Sequence, residues 1–585
     1  MKNKVLKGLT SIALSFSMLG CANTANKTEN VEKSSLAVEV KKEAVDLTRK
    51  EGWDNVLSYT SNAKIDYSNV VYPVFYVFAG QKSETEAEDL LKEMGIGSVL
   101  EKWAGTVNVI MPVDGKGYTE KDEEAFIELL GGAICNAKVV GIDEGATFVN
   151  NNLKDDLYAV AGVMTYGGQM DVETKEGVEV PAYLSNPDVK AKNYFIAVNN
   201  AKEVSENVYE NPENSLERVV VGQDKDVLSA FQNAWNNIFS KNYRQHNSYT
   251  EFYNATAKDI KDNYELINIA DYDKLGIQYE AHYNKALNGS GKYTWFEYIP
   301  TSTLEKEKGS VPLVVTLHGN YNDTRLQGET TGWTELASKE GFMVVAPEWQ
   351  QIVVEGGQTE GHPNFFECDG LEGDKLIEWI DMLKEKYPQI DSSRIYVTGL
   401  SAGASASTLY GVKYNTTFAA VGAISGPGVD KNELAELVKD YKGGEVPYLY
   451  ICGDHDFFGM LPVDLSSRNS FPIDPENGVY IQHVDPNVDM FSFIQSYQKV
   501  NGLAVTEKYN MEDNAYYGIK FDSEEWIQLG SKDALEGKLS NKNGLCIQLT
   551  AVKDLAHWNY KPEAEYIWNF FKQFSRNEDG SLNRQ

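Results

Sequence analysis

The sequence predicts an α/β protein built on mostly parallel sheet, and it predicts that architecture twice. Three observations carry the prediction. Short apolar runs alternate with helix-periodic segments from Leu313 onward. A tight Gly-x-Ser-x-Gly turn, Gly399-Leu400-Ser401-Ala402-Gly403, joins a strand-like run to a small-residue helix. Residues 71–245 then repeat the same order in shorter form. A chain of 585 residues has room for both units, each with its own core. On this reading residues 1–20 are a leader, 21–45 a polar tether, 46–245 a first α/β domain, 246–274 a connector and 275–580 a second, larger α/β domain.

The second domain can be followed element by element. Gln278–Tyr283 and Tyr293–Ile299 alternate as strands around Asn288-Gly289-Ser290-Gly291 and form a leading hairpin. Leu313–Leu317 is a buried strand running into His318-Gly319-Asn320, and Phe342–Ala346 is a second, stopped by Pro347. Leu376, Ile377, Ile380 and Leu383 recur at helical spacing. Ile395–Val397 leads into the Ser401 turn. Ala420–Ile424 and Tyr448–Cys452 are further short apolar runs, the latter opening into Gly453-Asp454-His455-Asp456. A strand over Cys546–Thr550 precedes Leu555-Ala556-His557-Trp558. An amphipathic run through Ile567, Phe570, Phe571 and Phe574 closes the domain.

These residues compose a nucleophilic site. A serine on a sharp strand-to-helix turn projects its hydroxyl clear of the sheet, and the flanking glycines leave room for the backbone to pass closely. An acid after a later strand orients a histidine that takes the serine proton. Asp456 is the first choice for that acid and Asp454 the reserve. Two histidines follow, His483 and His557, and His483 sits in a Pro/Asp-rich insertion over 459–490, so His557 is the base. The chain order Ser401, Asp456, His557 is that of α/β-hydrolases. In that fold the loop after an early strand and the residue after the nucleophile supply the oxyanion-hole N–H groups, here Asn320 and Ala402. Trp333, Trp349 and Trp558, with His318, are candidates to line a pocket.

At these motifs the chain resembles a family of serine esterases that groups polyhydroxybutyrate depolymerases with feruloyl and acetylxylan esterases. The matching segments are Leu317-His318-Gly319, Thr331-Gly332-Trp333, Gly341–Glu348, Arg394–Gly403 and Ala556-His557-Trp558, within residues 275–576. The resemblance implies ester hydrolysis by Ser401, Asp456 and His557 through an acyl-enzyme, with no cofactor or metal. Two departures fall near the expected pocket. Residues 356–368 replace the family's Cys/Trp-rich segment, and Phe457-Phe458 replaces the Val-Pro that usually follows the acid. Reaction type therefore carries over further than substrate. Two alternatives share parts of the pattern: an α/β-hydrolase-fold peptidase and a non-catalytic surface-binding lipoprotein.

The first domain reads as a degenerate copy of the second. Pro73–Phe78 ends in Ala79-Gly80 as Leu313–Leu317 ends in His318-Gly319. Val107–Pro112 parallels Met343–Pro347, and Val139-Val140 enters Gly141-Ile142-Asp143-Glu144-Gly145. The sequence pairs Ala159–Val163 with Ala420–Ile424, and Trp235–Phe239 with the closing helix. Asp143 stands at the nucleophile position and no histidine precedes His246, so this copy is expected to be inert.

The extreme N-terminus carries Lys2, Lys4 and Lys7, an apolar core over Leu9–Leu19, and Met18-Leu19-Gly20-Cys21. This resembles a bacterial lipoprotein signal in which the Cys21 thiol is lipidated, so the expected location is the cell surface, with full secretion as the alternative. A net charge of −32 argues against nucleic-acid partners. Cys135, Cys368, Cys452 and Cys546 are widely spaced, without a metal-ligand pattern.

Overall fold

The computed structural model describes residues 38–61, 73–130, 136–245, 265–267, 270–320, 324–351, 354–355, 358–359, 368–426, 431–454, 456, 460–462, 490–553, 555, 557–577 and 579–584. The Cys21 signal, Cys135, most of the connector, the 356–367 segment apart from 358–359, Phe457-Phe458 and His483 with nearly all of its insertion lie outside them.

Two ten-stranded sheets dominate the chain. With strands numbered in chain order within each sheet, both read 1-2-4-3-5-6-7-10-9-8. The pairing senses match as well. Six central strands are parallel, and the outer pairs are antiparallel. In the first sheet the parallel strands are Val74–Phe78, Thr106–Ile110, Ala137–Ile142, Gly162–Tyr166, Ala182–Ser185 and Arg218–Gly222. In the second they are Val311–Leu317, Met343–Pro347, Ile390–Leu400, Ala420–Ile424, Tyr448–Gly453 and Gly544–Val552. A small hairpin, Val354–Glu355 with Gln358–Thr359, stands apart from the second sheet.

Continuous apolar runs predicted these strands because helices cover both faces of a parallel sheet. Successive side chains point to opposite faces. Thus Leu313, Val315 and Leu317 join one apolar cluster with Trp379 and Leu383, while Val314, Val344 and Tyr396 join another with Ile567 and Phe571. The first sheet is likewise buried on both faces. The leading hairpin forms as expected, over Ile277–Leu287 and Ser290–Pro300.

One sequence-based pairing is corrected. Lys138 pairs with Gly162 as Tyr396 pairs with Ala420, so Gly162, not Ala159, is the counterpart of Ala420. The apolar run Ala159–Ala161 is loop, buried against the sheet edge, and burial there imitates a strand signal. The packing below this strand is duplicated too. A Cβ on Gly162 would press on Ile238 and Phe239, and one on Gly422 on Ile567 and Phe571. Helix Val227–Ala234 with the π-helical turn Trp235–Phe239 therefore occupies the place that helix Glu563–Phe571 takes in the second sheet.

Candidate active site

Ser401 sits between strand Ile390–Leu400 and helix Ala402–Lys413 with φ 54° and ψ −115°, a region non-glycine residues rarely adopt. Its N–H donates to the Ile424 carbonyl at 2.9 Å, and its carbonyl accepts from Ser405 N–H at 3.0 Å. The turn can be this tight only because of its glycines: a Cβ on Gly403 would overlap the Leu317 carbonyl, and one on Gly399 would meet Gly403 backbone at 2.6 Å. Ala402 is the first residue of the helix, so its N–H has no acceptor within the helix.

Past strand Tyr448–Gly453, Asp456 is 3% exposed, and its Oδ1 lies 2.7 Å from His557 Nδ1. A carboxylate only accepts, so Nδ1 carries the proton and Nε2 is the basic nitrogen. Asp454, the reserve acid, accepts instead from the Tyr516 hydroxyl at 3.2 Å. His557 follows strand Gly544–Val552, which pairs in parallel with Tyr448–Gly453, so adjacent strands bring acid and base to the same end of the sheet.

The loop His318-Gly319-Asn320 is held from behind. His318 is fully buried. Its Nε2 lies 2.6 Å from Glu348 Oε1 and its Nδ1 2.8 Å from the Gly319 carbonyl. Both partners are acceptors, so satisfying both calls for the imidazolium form, whose charge Glu348 balances. Trp349 donates from Nε1 to the His318 carbonyl at 2.8 Å, and Gln350 donates to Asn320 Oδ1 at 2.6 Å. Among the pocket candidates, His318 and Trp333 are therefore interior residues. Trp333 packs its ring on Phe342 and Phe571 beneath the sheet. Trp349 is a buried strut and Trp558 is half-buried. An aromatic beside a strand end is apolar bulk first, which is why sequence alone assigned two core residues to a pocket. Glu348 and Gln350 were missed; the signal available was their position just past Pro347, at the end of a strand beside the His318 strand.

The first sheet carries the same turn with an aspartate in place of the serine. Asp143 has φ 50° and ψ −105°, and its N–H donates to the Tyr166 carbonyl at 2.9 Å. A Cβ on Gly145 would overlap the Phe78 carbonyl, as one on Gly403 would overlap that of Leu317. The residue after the next strand has positive φ in both sheets, Gly167 and Ser425. Where the second domain has an oxyanion-side loop, Ala79 and Gly80 both donate N–H bonds to the Tyr118 hydroxyl at 3.0 Å, and Tyr118 donates to the Ile110 carbonyl at 2.7 Å. Asp188, the carboxylate after strand Ala182–Ser185, caps helix Val189–Val198 by accepting from Ala191 N–H at 2.8 Å.

With this geometry in hand, similarity to known proteins can be placed. Residues 294–436 match the family described as esterase PHB depolymerase. That match lies within the C-terminal half. The chain is 32% identical over 167 residues to poly(3-hydroxyalkanoate) depolymerase C of Paucimonas lemoignei, covering 25% of this chain and 38% of that protein. It is also 32% identical over 149 residues to the bifunctional acetylxylan esterase/xylanase XynS20E of Neocallimastix patriciarum, covering 25% of this chain and 19% of that protein. The chain thus spans well under half the length of either relative. Among solved structures, the acetyl xylan esterase from Aspergillus awamori aligns over 50% of this chain and 99% of its own, at 14% identity and TM-score 0.31. The S-formylglutathione hydrolase from Agrobacterium tumefaciens aligns over 52% and 97%, at 13% identity and TM-score 0.29. The C-terminal half has the α/β arrangement of a mostly parallel sheet between helices. Among the described residues no helix is long and apolar enough to cross a membrane, and Cys452 and Cys546 are buried free thiols.

Proposed function

We propose that the C-terminal half is a serine carboxylic-ester hydrolase and that the N-terminal half is its catalytically inert copy. The observation that carries the proposal is the pairing of a serine in the strained turn at Ser401 with a buried His557–Asp456 hydrogen bond in the same domain. Ser401 Oγ attacks the ester carbonyl carbon while His557 Nε2 takes its proton, and Asp456 stabilises the resulting imidazolium. The N–H groups of Asn320 and Ala402 receive the oxyanion. Collapse of the tetrahedral intermediate expels the alcohol, which takes its proton from His557. Water, deprotonated by His557, then releases the carboxylic acid and regenerates Ser401. The reaction needs no cofactor.

The substrate class is an extracellular ester of the polyester, feruloyl, acetyl or simple acyl kind. This draws on the relatives named for poly(3-hydroxyalkanoate) and acetylxylan. Export and a lipid anchor at Cys21 complete the reading, supported by the basic and apolar leader. Inertness of the first copy is supported by Asp143 at the nucleophile position, the Tyr118 hydroxyl occupying two loop amides, and the lack of histidine before His246. Turnover of p-nitrophenyl acetate and butyrate by wild type, Ser401→Ala and Asp143→Ala tests both halves of the proposal. Loss with Ser401→Ala alone is the expected result. Loss with Asp143→Ala would overturn the inert reading of the first domain, and a wild type that neither turns over nor takes a fluorophosphonate label would be a binding protein.

A further inference from the structure

We propose that Gln327 is a positioning residue that registers the histidine loop against the oxyanion side of the site. The inference rests on the serine-esterase reading above and adds a group that touches no reacting atom.

Gln327 lies on the short helix Thr324–Glu329 and is 1% exposed. Its side-chain amide faces two segments at once. Asn559 donates from Nδ2 to Gln327 Oε1 at 2.9 Å, and Gln327 Nε2 donates back to Asn559 Oδ1 at 3.4 Å. The same Nε2 donates to Thr316 Oγ1 at 3.1 Å. Asn559 stands just beyond His557 in the histidine loop, and Thr316 just before His318 in the strand that delivers the oxyanion-side loop. One amide therefore ties together the two segments whose relative placement sets the distance between base and oxyanion donors. All three side chains are buried.

The helix that presents Gln327 is itself fixed. Thr324 Oγ1 donates to the Pro347 carbonyl at 2.9 Å, and the buried Arg325 donates from Nε to Glu329 Oε1 at 2.6 Å while its guanidinium lies 5.5 Å from the Tyr279 ring centre. A core position needs no primary amide to be filled: leucine or methionine would occupy the same volume without the cost of burying a polar group. Buried polar networks that are fully paired specify one arrangement among several that apolar packing would tolerate. Small displacements of a catalytic group from productive geometry cost about a hundredfold in rate. Gln327 is thus placed to govern kcat rather than substrate binding.

The test compares Gln327→Met, Asn559→Leu and the double variant, with Thr316→Val as a milder cut of the third bond, by steady-state kinetics, fluorophosphonate labelling rate and melting temperature. The expected result is that Gln327→Met lowers kcat by about 10- to 100-fold with KM little changed. Labelling should slow in proportion, and the double variant should be no slower than the worse single one. Thr316→Val should show a smaller loss with the same kcat signature. Folded variants with wild-type kcat, a loss confined to KM, or multiplicative losses in the double variant overturn the proposal. So does a set in which none of the variants folds, which would make the cluster a stability element only. Failure of the esterase reading shows separately, as wild-type turnover that persists in Ser401→Ala.

Discussion

Ser401, Asp456 and His557 stand far apart in sequence, and each is held by a different local device. Ser401 is fixed by backbone crowding around Gly399 and Gly403, and His557 by a carboxylate that only one of two nearby aspartates can offer. The distinction between those aspartates is measurable. Asp456→Asn should lower kcat by about 10⁴-fold, because an amide facing Nδ1 favours the wrong tautomer. Asp454→Asn should cost far less, since its partner is the Tyr516 hydroxyl. Equal losses in the two variants would move the acid assignment. Sequence alone proposes Ser401 and His557 because motif and chain order constrain them. It ranked Asp456 above Asp454 without a physical discriminator, because which carboxylate turns toward the ring depends on a loop path that periodicity does not encode.

At the scale of elements, the loop His318-Gly319-Asn320, the proposed oxyanion side, owes its shape to the strand beside it. Met343–Pro347 ends where Glu348 meets buried His318, Trp349 holds the His318 carbonyl and Gln350 holds Asn320. Removing one member of a buried charged pair leaves the other uncompensated. Glu348→Ala should therefore destabilise the domain by about 3–5 kcal/mol, read as a shift in urea midpoint, and depress turnover with it. A midpoint unchanged from wild type would mean that His318 is neutral and that the pair is an ordinary hydrogen bond. Strands were the most legible elements, since a two-sided buried sheet writes itself as Leu313–Leu317 or Tyr448–Cys452. The offset at Ala159 and the burial of Trp333 share one cause: apolar composition reports burial, and burial is not unique to a strand or a pocket wall.

Across the whole molecule, the two sheets have the same strand order but different electrostatics. On helix Glu120–Leu130, packed beside the first sheet, Glu123 is pushed up to about 7, mainly by desolvation, then by its hydrogen bond to Asp156 and the charges of Asp156 and Glu120, opposed by a bond from Asn152. A carboxyl whose folded pKa lies above its unfolded value of 4.5 binds protons more tightly when folded. Its contribution is complete at acid pH and is lost as pH rises through about 7. Denaturation of the first domain should therefore show stability falling between those two values, and Glu123→Gln should flatten that slope. A slope that persists in Glu123→Gln would assign it to other groups.

The turn at Asp143 also bears on how active sites are found from shape. It keeps the same unusual dihedrals as Ser401 although an aspartate stands there, because Gly145 lets a helix cross a strand terminus at backbone contact. The bend is thus a property of how helix and strand meet, inherited with the packing whether or not chemistry remains. A search for hydrolase centres by dihedral signature alone would score this chain as two enzymes. Only a search that also demands a histidine paired to a carboxylate at the same end of the sheet would separate the Ser401 turn from the Asp143 turn.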